Sequence, residues 1–373
     1  MSTSAIVQFG TSRFLQAHAD LFVSEAIAEG QDAGPITVVQ TSGDTSRAHR
    51  LKALADPSGY EVRIKGIDNG TLVDTSKTVS SIKRALSLPE DLAEVAKAVA
   101  GEARIILSNT ADAGYRPSEA DKSTDFSIDM SYPAKLTWFL FQRFGMGGAP
   151  VQVMPAELIP ENGNVLKGLV LSIAALYPPE FADWLRSNVT WVNSLVDRIV
   201  SEPLEPAGAV AEPYALWAIE KQPGLILPCV HSCVQVVEDL EQVETLKLFI
   251  LNLGHTYLVS RWLAAGSSSL QFVRELIDSP DYGSDLTDLY RREVIPAFEA
   301  HGRKNEAEVY AATTIDRFKN PFLDHKLADI AQNHGEKIDR RISSFLSWAR
   351  KADASLQMPR LDAVAAGAKA ARA

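Results

Sequence analysis

Cysteine is nearly absent from this 373-residue chain: Cys229 and Cys233 are the only two. That is too few to staple a fold of this size and points to a reducing compartment. Long hydrophobic runs are missing as well. The longest apolar stretch, residues 165–177, is broken by Lys167, Gly168 and Ser172 and falls short of the ~20 residues a membrane helix needs. The N-terminus shows no charged-then-apolar leader pattern, so a cytoplasmic protein without membrane partners is expected. Positive charge is in deficit: 37 Lys and Arg stand against 47 Asp and Glu, a net charge of −10. This sign disfavours nucleic acid and anionic lipid as partners. An anionic small ligand would need a local group of cations.

What is present is an ordinary globular composition, 46% hydrophobic and 23% charged, at a length that suits two domains. Ala5-Ile6-Val7-Gln8-Phe9-Gly10 reads as a buried strand ended by glycine. Phe14, Leu15, Ala19, Phe22, Val23 and Ile27 then recur with helical period up to Gly30. Ile36-Thr37-Val38-Val39-Gln40 is a second strand, completing a βαβ unit with parallel strands. Residues 60–65 and 71–74 flank Asp68-Asn69-Gly70, a hairpin signal read as a small antiparallel insertion. A helical pattern over 89–100 precedes a strand at 104–107, and a helix around 134–144 precedes a strand at 151–154. This alternation predicts a Rossmann-type, doubly wound parallel sheet. Beyond residue 244 the periodicity is helical over 246–263, 270–277, 286–298 and 327–348. The expected α/β architecture is therefore a Rossmann-type domain over 1–240 and a mostly α-helical domain over 241–373. The Ala-rich end, 363–373, reads as a frayed tail.

Gly10-Thr11-Ser12-Arg13-Phe14 lies between the first strand and first helix, where such folds bring backbone amides to a dinucleotide pyrophosphate. The full Gly-x-Gly-x-x-Gly is absent, since Ser12 takes the place of the second glycine, and a plain strand-to-helix turn is an equal reading. Gly145, Gly147 and Gly148 follow a helix and precede a strand, so they read as a helix-terminating loop. Asp44 and Arg47 follow the second strand and leave NAD against NADP open. Cys229, His231 and Cys233 would share one face of a strand, but three such ligands cannot easily surround a tetrahedral ion, so no metal is expected.

The most informative set is Lys247, Asn252 and His255. At 100° per residue they stand at 0°, about 140° and about 80° around a helix and can project to one side. A lysine can act as general base toward an alcohol and, as the ammonium, can protonate the product of ketone reduction. An asparagine amide can donate to an oxygen gathering charge, and a histidine can hold a neighbouring hydroxyl. An exposed lysine, a surface asparagine and a packed histidine would fit the same residues.

At Lys247, Asn252 and His255 the chain resembles the polyol-specific long-chain dehydrogenases, the mannitol dehydrogenase family, whose signature is Lys-x4-Asn-x2-His. Asn193-Ser194-Leu195-Val196-Asp197-Arg198-Ile199 and Arg317-Phe318-Lys319-Asn320-Pro321 are similar to two further family segments. The segments 108–114, 119–122, 133–137 and 155–159 resemble the branch acting on sugar acids of the altronate and tagaturonate type. There Leu158 replaces the asparagine that polyol enzymes use as a second donor.

The resemblance implies an NAD(P)-dependent oxidoreductase with Lys247 as general acid/base, Asn252 as oxyanion donor and His255 as substrate ligand. It implies substrate contacts from Arg317, His325 and Asp197, with Arg317 matched to a carboxylate. Gly10, Thr11, Ser12, Phe14, Asn109 and Thr110 would meet the dinucleotide, NAD being expected and NADP not excluded, in a cleft between the two domains. The chain departs from that branch in its shorter length, its abbreviated 200–212 segment, Ser12 and Arg13 in the glycine turn, and Asp112. A neutral polyol such as mannitol, another aldonate such as mannonate, and a non-catalytic dinucleotide-binding regulator remain as alternatives. A monomer or small homo-oligomer is expected.

Overall fold

Six parallel strands organise the first half of the chain in the computed structural model, which describes residues 6–43, 48–267 and 269–370. The strands, in chain order, are β1 (Ile6–Phe9), β2 (Ile36–Gln40), β3 (Tyr60–Asp68), β4 (Thr71–Val79), β5 (Ile82–Ser87), β6 (Ile105–Ser108), β7 (Val151–Pro155), β8 (Val189–Trp191), β9 (Ser194–Asp197), β10 (Val200–Pro203), β11 (Ala209–Ala211), β12 (Leu216–Glu220) and β13 (Val234–Val237). The main sheet runs β5-β2-β1-β6-β7-β8, and its strand pairs are parallel. This is the doubly wound order 3-2-1-4-5-6. Every residue of β1, β2, β6 and β7 is buried, as strands covered by helices on both faces require. Phe139 and Leu140, in the helix Tyr132–Gly145, pack with Phe9, Ile106 and Val153. Each large side chain so buried contributes roughly 1.5–3 kcal/mol.

The chain divides into two compact units. One comprises residues up to 64, 75–211 and 215–240; the other comprises residues 65–74, 212–214 and from 241 onward. The hairpin at Asn69 and Gly70 joins β3 to β4, both turn residues having positive φ. It belongs to a four-stranded mixed sheet, β10-β11-β3-β4, in which β11 runs parallel to β3. A third sheet, β13-β12-β9, completes the set.

The helix expected to run from Phe14 to Gly30 is split into Arg13–Gln16 and Ala19–Ala28. His18 sits at the break, fully buried among Phe14, Phe22 and Trp217, with Nε2 3.0 Å from the Leu216 carbonyl oxygen. Burial pushes its pKa down to about 3, so its imidazole is neutral at ordinary pH. As far as residue 370 the Ala-rich end is a helix, Pro359–Ala370, rather than a frayed tail, and residues 371–373 lie outside the described residues. Leu361 and Ala365 are buried in the core of the second unit, alanine has the best intrinsic helix propensity, and a proline at the start is preset for helix.

That second unit is helical, and three of its four expected long runs contain a π turn: Lys247–Asn252, Tyr290–Val294 and Asp339–Ser343. A π turn inserts one residue and moves hydrogen bonding from i+4 to i+5. The apolar pattern continues through such a turn while the faces shift. A further helix, Lys304–Phe318, lies outside the four helical runs expected from periodicity.

Candidate active site

In the first unit the parallel register sets Phe9 beside Ser108, so the loops after β1 and β6 leave the sheet together. This is the point where strand order reverses and such sheets bind ligands. Gly10 has φ of 120°, and a Cβ there would lie 2.6 Å from the Asn109 carbonyl oxygen, so only glycine fits. Ser12 caps the helix Arg13–Gln16 by accepting from the Leu15 amide at 3.2 Å and donates to Asn109 Oδ1 at 2.9 Å. The Asn109 amide nitrogen in turn donates to the Ala156 carbonyl at 2.8 Å. Ser12 thus ties the two loops together in place of a second glycine. Phe14 stacks on His18 with ring centroids 4.7 Å apart, and Arg13 donates to Glu205 and the Gly208 carbonyl. Thr11 and Thr110 lie in the same two loops.

Glu157, just beyond β7, accepts from the Thr110 amide at 2.9 Å and from the Ser108 hydroxyl at 3.1 Å. Burial raises its pKa. Glu157, which no motif singles out in the sequence, fixes the loop that carries Asn109 and Thr110. Leu158 is exposed, and Asp197 and Arg198 are buried, Arg198 donating to the Ala17 carbonyl at 2.7 Å. Asp44 and Arg47 lie outside the described residues. Cys229, His231 and Cys233 lie in the turns before β13 rather than on a strand, and His231 is paired with Glu25 at 3.1 Å. Gly145, Gly147 and Gly148 close the helix Tyr132–Gly145, the Gly148 amide returning to the Arg143 carbonyl.

In the second unit Lys247 opens the π turn and Asn252 closes it. Five residues apart, they are the hydrogen-bonding neighbours of a π turn, so Asn252 stands one turn above Lys247 rather than some 140° away. The turn is held by Tyr290, whose hydroxyl donates to the Ile250 carbonyl at 2.8 Å. A Cβ on Gly254 would collide with that hydroxyl. Glycine here permits the close approach that stabilises the turn.

One turn further, His255 is buried, its ring 4.2 Å from Phe318 and 4.7 Å from His325, with no hydrogen-bond partner at Nε2 among the described residues. Burial, reinforced by His325, Arg341, Arg317 and Lys337, holds its pKa well below the usual value, so the ring is neutral. His325 is lowered as well, first by burial. Arg317 is committed: Nε and Nη2 donate to Glu212 at 3.0 and 2.8 Å, and the guanidinium lies 4.4 Å from the Tyr214 ring. No sequence signal marked Glu212 as its partner.

Residues 4–226 match the profile of the mannitol dehydrogenase Rossmann domain, and residues 239–368 that of the mannitol dehydrogenase C-terminal domain. The chain is 31% identical over 363 residues to an altronate oxidoreductase of Bacillus subtilis (strain 168), spanning 90% of this chain and 73% of that protein. It is 30% identical over 378 residues to one of Escherichia coli O1:K1 / APEC, spanning 94% and 76%. Among solved structures, substrate-free D-sorbitol dehydrogenase aligns with a TM-score of 0.82 at 22% identity, over 97% of this chain and 80% of that one. Pseudomonas fluorescens mannitol 2-dehydrogenase, in a ternary complex with NAD and D-mannitol, aligns with a TM-score of 0.69 at 20% identity, over 98% and 79%. These two likenesses speak for the fold.

Proposed function

Because the chain belongs to the mannitol dehydrogenase family, we propose that it moves a hydride between a nicotinamide dinucleotide and a secondary alcohol of a sugar acid of the altronate and tagaturonate type. The observation that carries this reading is the π turn, which stacks Lys247 and Asn252 one turn apart and leads into a neutral His255 with an unpartnered Nε2. In this reading the first unit holds the dinucleotide through Gly10, Thr11, Ser12, Phe14, Asn109 and Thr110, and the second presents the chemistry. The close approach of the Gly10 and Asn109 backbones suits a phosphate cradle that admits no side chain.

When bound, the nicotinamide ring accepts the hydride in oxidation and supplies it in reduction. Lys247 takes the hydroxyl proton as the alcohol becomes a ketone, and its ammonium returns that proton in the reverse direction. Asn252 donates to the oxygen on which charge develops, and His255 bonds an adjoining hydroxyl through Nε2. His325 and Asp197 belong to the substrate surroundings, and Arg317 fixes Glu212 and Tyr214 within them.

The test compares initial rates on altronate, mannonate and mannitol with NAD and with NADP. The highest kcat/KM on altronate is expected. A tenfold or greater preference for mannitol would defeat the sugar-acid reading. Dinucleotide binding with no turnover of any of the three would leave a regulatory protein.

A further inference from the structure

Arg317 was the natural carboxylate partner by residue type, but its fork is closed on Glu212, both side chains being 2% exposed. Two other cations border the same histidine. The helix His334–Ile338 and the π turn after it run along Leu253–Ala264: His334 Nε2 lies 3.0 Å from the Ser260 hydroxyl, and Arg341 Nη1 donates to Thr256 Oγ1 at 3.1 Å and the Asn252 carbonyl at 3.4 Å. Arg341 therefore touches the residue proposed as oxyanion donor and the neighbour of His255. Lys337, one turn away on the same element, donates to the Ile330 carbonyl at 2.7 Å.

Neither Arg341 nor Lys337 has a carboxylate partner among the described residues, although acids outnumber bases by ten in the chain. Among the described residues, Asp329 acts on His325. Half-buried cations without a counter-charge are costly, and two of them beside an unpartnered buried imidazole nitrogen await an anion.

We propose that Arg341, supported by Lys337, binds the carboxylate of the sugar acid and sets the preference for acid over neutral polyol. This rests on the functional reading above and names the group that recognises the substrate class. Nη1 holds the helix, which leaves the remaining guanidinium donors to present to a carboxylate, and loss of a buried charge-assisted pair of this kind weakens binding by about 100-fold.

The experiment titrates altronate calorimetrically into the dinucleotide-saturated protein, wild type, R341Q and R341K, and measures rates on altronate and mannitol for each. R341Q should weaken altronate binding about 100-fold and lower the altronate-to-mannitol ratio of kcat/KM at least 30-fold, mainly through KM. R341K, keeping the charge without the fork, should recover about tenfold of that, and K337Q should show a smaller loss in the same direction. If R341Q does not fold, R341K and K337Q carry the comparison. Equal altronate affinity in the variants, an equal loss on both substrates, or no altronate binding to the wild type would overturn the inference. Altronate that binds through Arg341 yet is not oxidised would break the proposed function and leave the anchor standing.

Discussion

The loops after β1 and β6 and the surroundings of His255 place polar groups in opposite ways. Around Gly10 the two loops tie each other down: Ser12 bonds Asn109, Asn109 bonds the Ala156 carbonyl, and Thr110 and Ser108 bond Glu157, while Gln8 Oε1 and Arg13 Nε stay unpartnered among the described residues. The surroundings of His255 leave groups wanting: among the described residues its Nε2 has no hydrogen-bond partner, and Lys337 and Arg341 donate to carbonyl and hydroxyl oxygens rather than to carboxylates. A saturated network rigidifies a platform and fixes where backbone meets a ligand. An unsaturated one is costly until a ligand completes it. The contrast suits a platform for a constant cofactor in the first unit and a receptive site for a polar substrate in the second.

The largest expected effect separates the two. K247A should lower kcat/KM at least 10³-fold, about 4 kcal/mol or more, with dinucleotide affinity changed only a few-fold, measured by steady-state kinetics and NADH fluorescence quenching. Loss of dinucleotide binding in this variant would break the division of labour.

The next effect probes an exception within the first unit. Asp20 is fully buried, takes a hydrogen bond from the Tyr60 hydroxyl at 3.1 Å, and has its pKa pushed up to about 7 by burial. Between pH 4 and 7 the unfolded carboxyl is ionised while the folded one keeps its proton, so the folded state binds more protons and stability falls as pH rises. The window amounts to on the order of 4 kcal/mol. The D20N variant lacks this term, so its thermal midpoint should rise relative to that of the wild type from pH 4 to pH 7 and then level off. A constant gap would mean that Asp20 is ionised throughout.

The same contrast explains what could be read in the sequence. Strands β1, β2, β6 and β7 were legible because burial on both faces writes largely apolar, β-branched runs. Strand β5 was not, since Lys83 and Arg84 interrupt its run and its burial declines along its length. Gly10, Ser12 and Asn109 could be placed in loops, but the bond between Ser12 and Asn109 spans 97 residues and leaves no local trace. In the second unit a periodicity of 3.6 found the helical runs and missed each π turn within them. The Lys247, Asn252 and His255 spacing is itself the mark of that turn, visible only once i+5 is taken as one turn. Glu212 and Arg341 escaped because nothing in sequence ties a buried acid to an arginine 105 residues away, or sets one uncompensated arginine apart among many.

A smaller effect is expected from G254A. The added methyl meets the Tyr290 hydroxyl, which must withdraw from the Ile250 carbonyl. Overpacking of this kind costs about 1–3 kcal/mol, and relaxation toward an α-turn would rotate Lys247 away from Asn252. Turnover should therefore fall about tenfold or more while the thermal midpoint drops by only a few degrees. Removing the obstacle in the double variant G254A/Y290F should not restore activity, because the carbonyl would still lack its donor. Full recovery in that variant would show that the π turn does not depend on Tyr290.

The smallest effect tests whether saturation of the first unit matters for binding or for order alone. Ser12 supplies an N-cap and the link to Asn109. S12A should cost about 1 kcal/mol of stability, the usual penalty for losing such a cap, whereas S12G should cost only a few tenths for the cap and otherwise share the loss of the Asn109 bond. If the hydroxyl serves only to hold the loops, both variants should bind the dinucleotide within a few-fold of the wild type, with S12A the less stable by thermal midpoint. A loss of affinity of 100-fold in both would mean that the hydroxyl, or the Asn109 amide it orients, contacts the dinucleotide directly. The platform would then be completed by its ligand, as is proposed for the second unit, and the contrast between them would narrow to one of degree.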